Sequence, residues 1–210
     1  MEINFAKQTI KSFVEDLNST KPMPGGGSAA AICGAMAAAL AGMSAHMTAG
    51  KKKFADAETK MQEIITATNV LQQEMLGMAQ EDADMYSLVL QAYKLPKNTE
   101  EETRHRKQAI EDASKAAVVA SLKVTNASVR IMKFAYAVVV AGNPMMVTDG
   151  AASALMARAC QRVASYNVRI NLGGISDTVF KEKAEQEMQW QLTEGKQMEE
   201  AVLKEVEKRM

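Results

Sequence analysis

The chain has 210 residues, enough to bury a sizeable core, and one compact domain over 1–210 is the expectation. Its 25 basic residues balance 25 acidic ones, so the formal net charge is zero. That balance argues against nucleic acid or an anionic membrane surface as a partner.

The opening stretch "MEINFAKQTIKSFVEDL" is charged throughout and has no apolar centre of the kind a signal peptide needs. Its apolar positions, Ile3, Ile10, Phe13, Val14 and Leu17, predict an amphipathic first helix over 2–18. "KPMPGGGS" then breaks the chain, and Ser28 is the expected N-cap of a small-residue helix ending near Gly50. Residues 22–50 contain no Lys, Arg, Asp or Glu. About 20 apolar residues can span a bilayer, but this stretch is Ala, Gly and Ser rather than Leu, Ile and Phe, and it includes His46. It reads as a central helix of a soluble protein, closely approached by others, rather than as a membrane span. Cys33 and Cys160 lie far apart in apolar helical stretches and read as buried thiols in a reducing cytoplasm.

From Ala55 to Lys94, Met61, Ile64, Ile65, Thr68, Leu71, Met75, Met78 and Met85 recur at steps of three and four, predicting one long helix. "LPKNTEEETR" is a stop, a turn and a new start, with Asn98 or Thr99 as cap and Glu102 placed for a capping box. The fourth helix runs to Ala141. Its "AYAVVVAG" is β-branched, but no second strand-like run exists to pair with it. After "GNPMMVTDG" a helix covers Thr148 to Leu172, and a charged one covers Asp177 to Lys208 with a weak interruption at Gly195. The fold class is therefore all-α, a bundle of about six helices, several long and antiparallel, around a small-residue central helix. Helices near 40 residues outrun a small domain at 1.5 Å per residue, which favours a homodimer.

Three groups carry candidate chemistry. Gly25, Gly26 and Gly27 with Ser28 can bring backbone N–H groups to a ligand at a helix start, or can merely permit two helices to cross closely. The run lacks the Gly-Lys-Ser/Thr ending of a P-loop. Asp149, Ser153, Met156, Cys160, Val163, Asn167 and Asn171 share one helical stripe. Asp149 suits a first turn whatever its function, whereas two amides on an apolar face need partners, from neighbouring helices or a ligand. Arg158 and Arg162, offset from the stripe, read as a solvated or interface edge. Asp82 and Tyr86 are four apart, with Asp84 displaced, marking either a polar pocket or a solvated face. His46 and His105 form no metal-ligand spacing, so no zinc or di-iron site is expected.

"FVEDLNSTKPMPGGGSAAA", "GKKKF", "EDADMY", "AYKLPKNTEEE", "GNPMMVTDGAASALMARA" and "YNVRINL" occur in the order and spacing of one family. Together they resemble the formiminotransferase-cyclodeaminase, or methenyltetrahydrofolate cyclohydrolase, family from Phe13 to about Phe180. The resemblance implies an all-α cytoplasmic homodimer acting on the one-carbon unit of tetrahydrofolate, with no metal or nucleotide cofactor. One implied reaction closes 5-formimino-tetrahydrofolate to the 5,10-methenyl form with loss of ammonia. The other hydrates the methenyl bridge to 10-formyl-tetrahydrofolate. Ala120 stands where the family often has proline, a matter of helix shape. The transferase half of bifunctional members is not matched, so the chain resembles the bacterial cyclohydrolases slightly more.

On this reading Asp149 and Asp82 are the catalytic candidates, in that order. Asn143, Asn167 and Asn171, with the glycine loop, would meet the pterin and its one-carbon bridge. Lys51, Lys52 and Lys53 would meet the glutamate tail, or else simply complement a helix end. The alternative is a helical scaffold that binds folate without turnover. A pure scaffold has no need of the glycine loop, both aspartates and both asparagines together.

Overall fold

The computed structural model describes residues 4–210, and these form six α-helices and three short 3-10 turns. The helices are α1 (Ile10–Leu17), α2 (Gly26–His46), α3 (Glu58–Lys94), α4 (Glu100–Ala141), α5 (Val147–Leu172) and α6 (Thr178–Glu207). The all-α expectation holds, including the β-branched stretch that closes α4. At 1.5 Å per residue the 37 residues of α3 and 42 of α4 extend about 55 and 63 Å.

The first helix is shorter than expected. Phe5–Lys7 form a 3-10 turn before α1, and Ile3 lies outside the described residues. Of its apolar positions only Phe13 is buried, edge-on to Phe5 with ring centroids 5.6 Å apart. Ile10 is 83 % exposed, because the helix is anchored by the two rings and not along its whole apolar face. Ser28 is not the cap of α2. Gly25 takes that position in extended conformation, and Ser28 sits buried in the first turn. The Thr99–Glu102 capping box at the start of α4 is present in full.

α2 is the centre of the bundle. Ala31, Ala37, Ala38, Ala41 and Ala45 are fully buried, between α3 on one side and α5 on the other. A methyl at Gly34 would sit 3.1 Å from Cys160 Sγ of α5, and one at Gly42 would sit 2.7 Å from Thr68 Oγ1 of α3. Small side chains here let flanking helices approach closely, which accounts for the composition without a membrane. α2 and α4 do have the length and hydropathy of spans, but 61% and 56% of those windows are buried within the bundle. Ser153 of α5 ties the pair further, donating to the Ala37 carbonyl at 2.7 Å. Gly50, with φ +74°, turns the chain out of α2 in the left-handed region that glycine tolerates.

α6 packs on α4 and α5 and is continuous through Gly195. That glycine is a contact, not a break: a Cβ there would lie 2.7 Å from Gln161 Cδ. Gln161 is fully buried and donates to the Gln191 carbonyl at 2.8 Å, while Thr125 donates to the Gln191 side chain. Arg158 belongs to the same tie. It donates to Gln161 Oε1 at 2.5 Å and to the Leu192 carbonyl at 3.2 Å, and pairs with Glu199 at 3.3 Å. It is therefore an internal clamp between α5 and α6, and the reading of a solvated edge survives only for the exposed Arg162.

Candidate active site

Where the N-terminus of α2 meets the middle of α3 and α4 and the C-terminal half of α5, the helices leave a cleft of about 430 Å³. Gly25, Gly26 and Gly27 form one wall, Met78, Met85, Tyr86 and Val89 another, and Ala117, Ala120 and Ser121 a third. Asp82, Asn167 and Asn171 bring a carboxyl and two amides to it, beside the hydroxyls of Tyr86 and Ser121.

Asp82 of α3 is held by two neighbouring helices at once. Ser28 Oγ of α2 donates to Oδ2 at 3.0 Å, and Asn167 Nδ2 of α5 donates to Oδ1 at 3.3 Å. Asn171 fixes the next turn by donating to the Asn167 carbonyl at 2.8 Å. Gly27 makes the arrangement possible, since a Cβ there would lie 2.5 Å from both Asn167 Nδ2 and Asp82 Cγ. Both earlier readings of the glycine loop thus meet in one place: the close crossing is what brings the polar groups to the cleft. Burial pushes the Asp82 carboxyl above the usual aspartate range, opposed by the Ser28 hydroxyl and backbone N–H. A carboxyl so placed gains and loses a proton nearer to neutrality than a solvated one, as acid–base work requires.

The remaining sequence candidates are elsewhere in the chain. Asp149 shares a face with Asn167, but 18 residues separate them, about 27 Å along the helix. Periodicity gave the direction of the side chain and not its depth, so Asp149 does not line this cleft. Asn143 is tied into the α4–α5 turn, donating through Nδ2 to the Met47 carbonyl at 3.3 Å and accepting from Met145 N–H at 3.1 Å. Lys51, Lys52 and Lys53 are exposed beyond the C-terminal end of α2, the length of that helix away from Gly26. Asp82 therefore replaces Asp149 as the central carboxylate of a single chain.

Sequence reasoning missed the cleft's third wall and the role of Ser28. The signal for the wall was present, since Ala117, Ala120, Ser121 and Val124 put small or short side chains on one face of α4. Among the described residues no trio of His, Cys, Asp or Glu is placed to hold a metal ion.

A carboxyl gripped by two side-chain donors at the wall of an apolar cleft, between long helices, fits an all-α enzyme whose substrate is a small molecule. The chain belongs to the formiminotransferase-cyclodeaminase family, whose model matches residues 9–190. It is 34% identical over 203 residues to methenyltetrahydrofolate cyclohydrolase of Methylorubrum extorquens, covering 97% of this chain and 98% of that one. It is 31% identical over 201 residues to mouse formimidoyltransferase-cyclodeaminase, spanning 96% of this chain but 37% of the mouse protein. The fold superposes on formiminotetrahydrofolate cyclodeaminase of Thermotoga maritima with a TM-score of 0.88 and 28% identity, over 96% of this chain and 97% of that one.

Proposed function

We propose that this chain is a cytoplasmic folate one-carbon enzyme that hydrates 5,10-methenyl-tetrahydrofolate to the 10-formyl form, without metal or nucleotide cofactor. The observation that carries the reading is Asp82, raised by burial and held between Ser28 and Asn167 across Gly27.

The methenyl bridge spreads one positive charge over N5, the bridging carbon and N10, so a carboxylate beside it stabilises the bound cation. Asp82 accepts a proton from water as the oxygen adds to the bridging carbon. The same carboxyl then returns a proton to N5 as the N5–carbon bond breaks, and the added hydroxyl gives up its remaining proton to solvent as it becomes the formyl oxygen on N10. One proton is released overall, balancing the cation consumed. Asn167 and Ser28 orient the carboxyl, and the apolar walls limit competing water.

The related cyclodeaminase reaction is the second reading, favoured by the full-length likeness to the Thermotoga maritima enzyme. There N10 attacks the formimino carbon, and Asp82 would move the N10 proton to the departing ammonia. Loss of methenyl absorbance, measured beside ammonia release from 5-formimino-tetrahydrofolate, separates the two. Folate binding with neither reaction would leave only the scaffold.

The working form is a homodimer. Along α2 and at the residue that caps its end, Met36, Met43 and Met47 are 48%, 40% and 46% exposed on one face, within a stretch free of formal charge. Antiparallel pairing of two such faces about Ala39 sets the Lys51–Lys53 end of one copy over the Gly25–Gly27 end of the other. Asn143 and Asp149, at that same end, then enter the cleft from the second copy. Light scattering should give twice the 22.8 kDa chain mass at micromolar concentration. Mixing inactive Asp82→Asn and Asp149→Asn chains should restore about a quarter of normal activity, because half the dimers carry one intact site. A monomer, or no recovery on mixing, refutes the shared site.

A further inference from the structure

We infer that the substrate's arm leaves the cleft along the α3–α4 groove, and that Arg106 receives the glutamate carboxylate at its end. This rests on the folate reading above and assigns a direction and a specificity residue to the same site.

Asp82, Tyr86, Val89 and Tyr93 recur at steps of four, three and four, one stripe of α3 that starts at the deep carboxylate and runs outward. The first three line the cleft, and Tyr93 continues the line about 16 Å from Asp82 along the helix axis. α4 returns antiparallel after the short Leu95–Thr99 turn, so residues pair across the hairpin in opposite order. Arg106 lies opposite Tyr93, and eleven residues deeper Ala117 lies opposite Asp82. From the cleft outward, this face of the hairpin is thus polar, then apolar and aromatic, then cationic where Arg106 meets the Tyr93 carbonyl. That is the order of groups in a pterin joined through an aminobenzoyl unit to glutamate.

Arg106 is preset for the role. Its Nε and Nη2 donate to the Tyr93 carbonyl at 3.2 and 3.0 Å, and its guanidinium lies 5.5 Å from the centroid of the Tyr93 ring. No carboxylate pairs with it among the described residues, and the N–H groups not given to Tyr93 remain to grip a carboxylate. Upstream, Tyr86 is 45% exposed and lines the cleft, where its ring can offer a face to an aminobenzoyl group. Lys51–Lys53 are remote from this groove within one chain, so the two cationic groups make separable predictions.

The test compares 5,10-methenyl-tetrahydrofolate with the methenyl-tetrahydropteroate that lacks glutamate. Arg106→Gln should raise KM for the glutamate-bearing compound about tenfold, and leave kcat and the glutamate-free KM within about twofold. Arg106→Lys should recover part of the loss. Because Arg106 also caps the end of α3, Tyr93→Leu serves as a second variant. It keeps the backbone carbonyl and removes the ring, and should give a smaller loss with the same selectivity. Equal changes for both compounds would make Arg106 a structural cap and overturn the inference, as would selectivity arising only when Lys51, Lys52 and Lys53 are all changed to Gln. Failure of the unsubstituted protein to turn over or bind either compound would refute the folate reading itself.

Discussion

Gly27→Ala is the most direct test of how the site is built. The added methyl would lie 2.5 Å from Asn167 Nδ2 and Asp82 Cγ, where non-bonded carbons need about 3.5 Å. Roughly 1 Å of movement must therefore come from the carboxyl or the amide, which is enough to break their 3.3 Å hydrogen bond. Losing a hydrogen bond to a charged group costs about 1.5–3 kcal/mol, and overpacking adds about 1–3 kcal/mol. Replacing glycine in a helix returns up to about 1 kcal/mol. A net loss near 3 kcal/mol corresponds to a Tm lower by about 6–12 °C for a chain of this size. Turnover should fall at least about 10²-fold, as expected for a misplacement of that order. Gly26→Ala is the matched control for stability, because no protein atom lies within 4 Å of the methyl it adds. Unfolding followed by circular dichroism and turnover followed by methenyl absorbance would be measured on both. A Gly27→Ala protein with normal Tm and normal kcat would refute both the close crossing and the role of Asp82.

Asp82→Asn should abolish most turnover yet be at least as stable as the parent at neutral pH. Burial raises the Asp82 pKa in the fold, so its favourable protonated form is complete below the unfolded value near 4 and lost as pH rises through the folded value. The stability gain should thus shrink towards pH 4 in urea titrations, and a loss of stability at neutral pH would contradict the sign. Gly195→Ala should lower stability by about 1–3 kcal/mol by overpacking Gln161, with normal turnover per folded molecule; lost activity at unchanged Tm would be the opposite result. Cys160, fully buried with its thiol pushed up to about 12, should resist alkylation at pH 8 until the chain unfolds. Rapid native labelling of Cys160 would mean that the α2–α5 packing opens.

The long helices were legible because three- and four-residue apolar steps persist through α3 and α4, and because Thr99 and Glu102 carry their capping chemistry in their identities. Asp82 and Asn167 were legible as polar residues where packing calls for apolar ones. Their meeting was not, since it depends on a glycine 55 residues before one and 140 before the other. For Asp149 the stripe gives the direction of the side chain but not its depth, because it says nothing about which end of a 26-residue helix meets the cleft of the same chain. Ser28 was misplaced because its residue type suits a cap equally well, and only the packing of α2 against α3 turns its hydroxyl towards a carboxylate.

The alanines and glycines of α2 act as a spacer defined by what they lack. Asp82 belongs to α3 and Asn167 to α5, and the thin helix between those two sets how near their side chains come. Any added bulk along its buried faces, at Gly34 or Gly42 as much as at Gly27, acts as a wedge, and long rigid helices carry a small tilt over many residues. Substitutions near the middle of α2 should therefore impair turnover from a distance, and a mutational scan read by activity alone would place a line of apparently catalytic residues through a helix that performs no chemistry there.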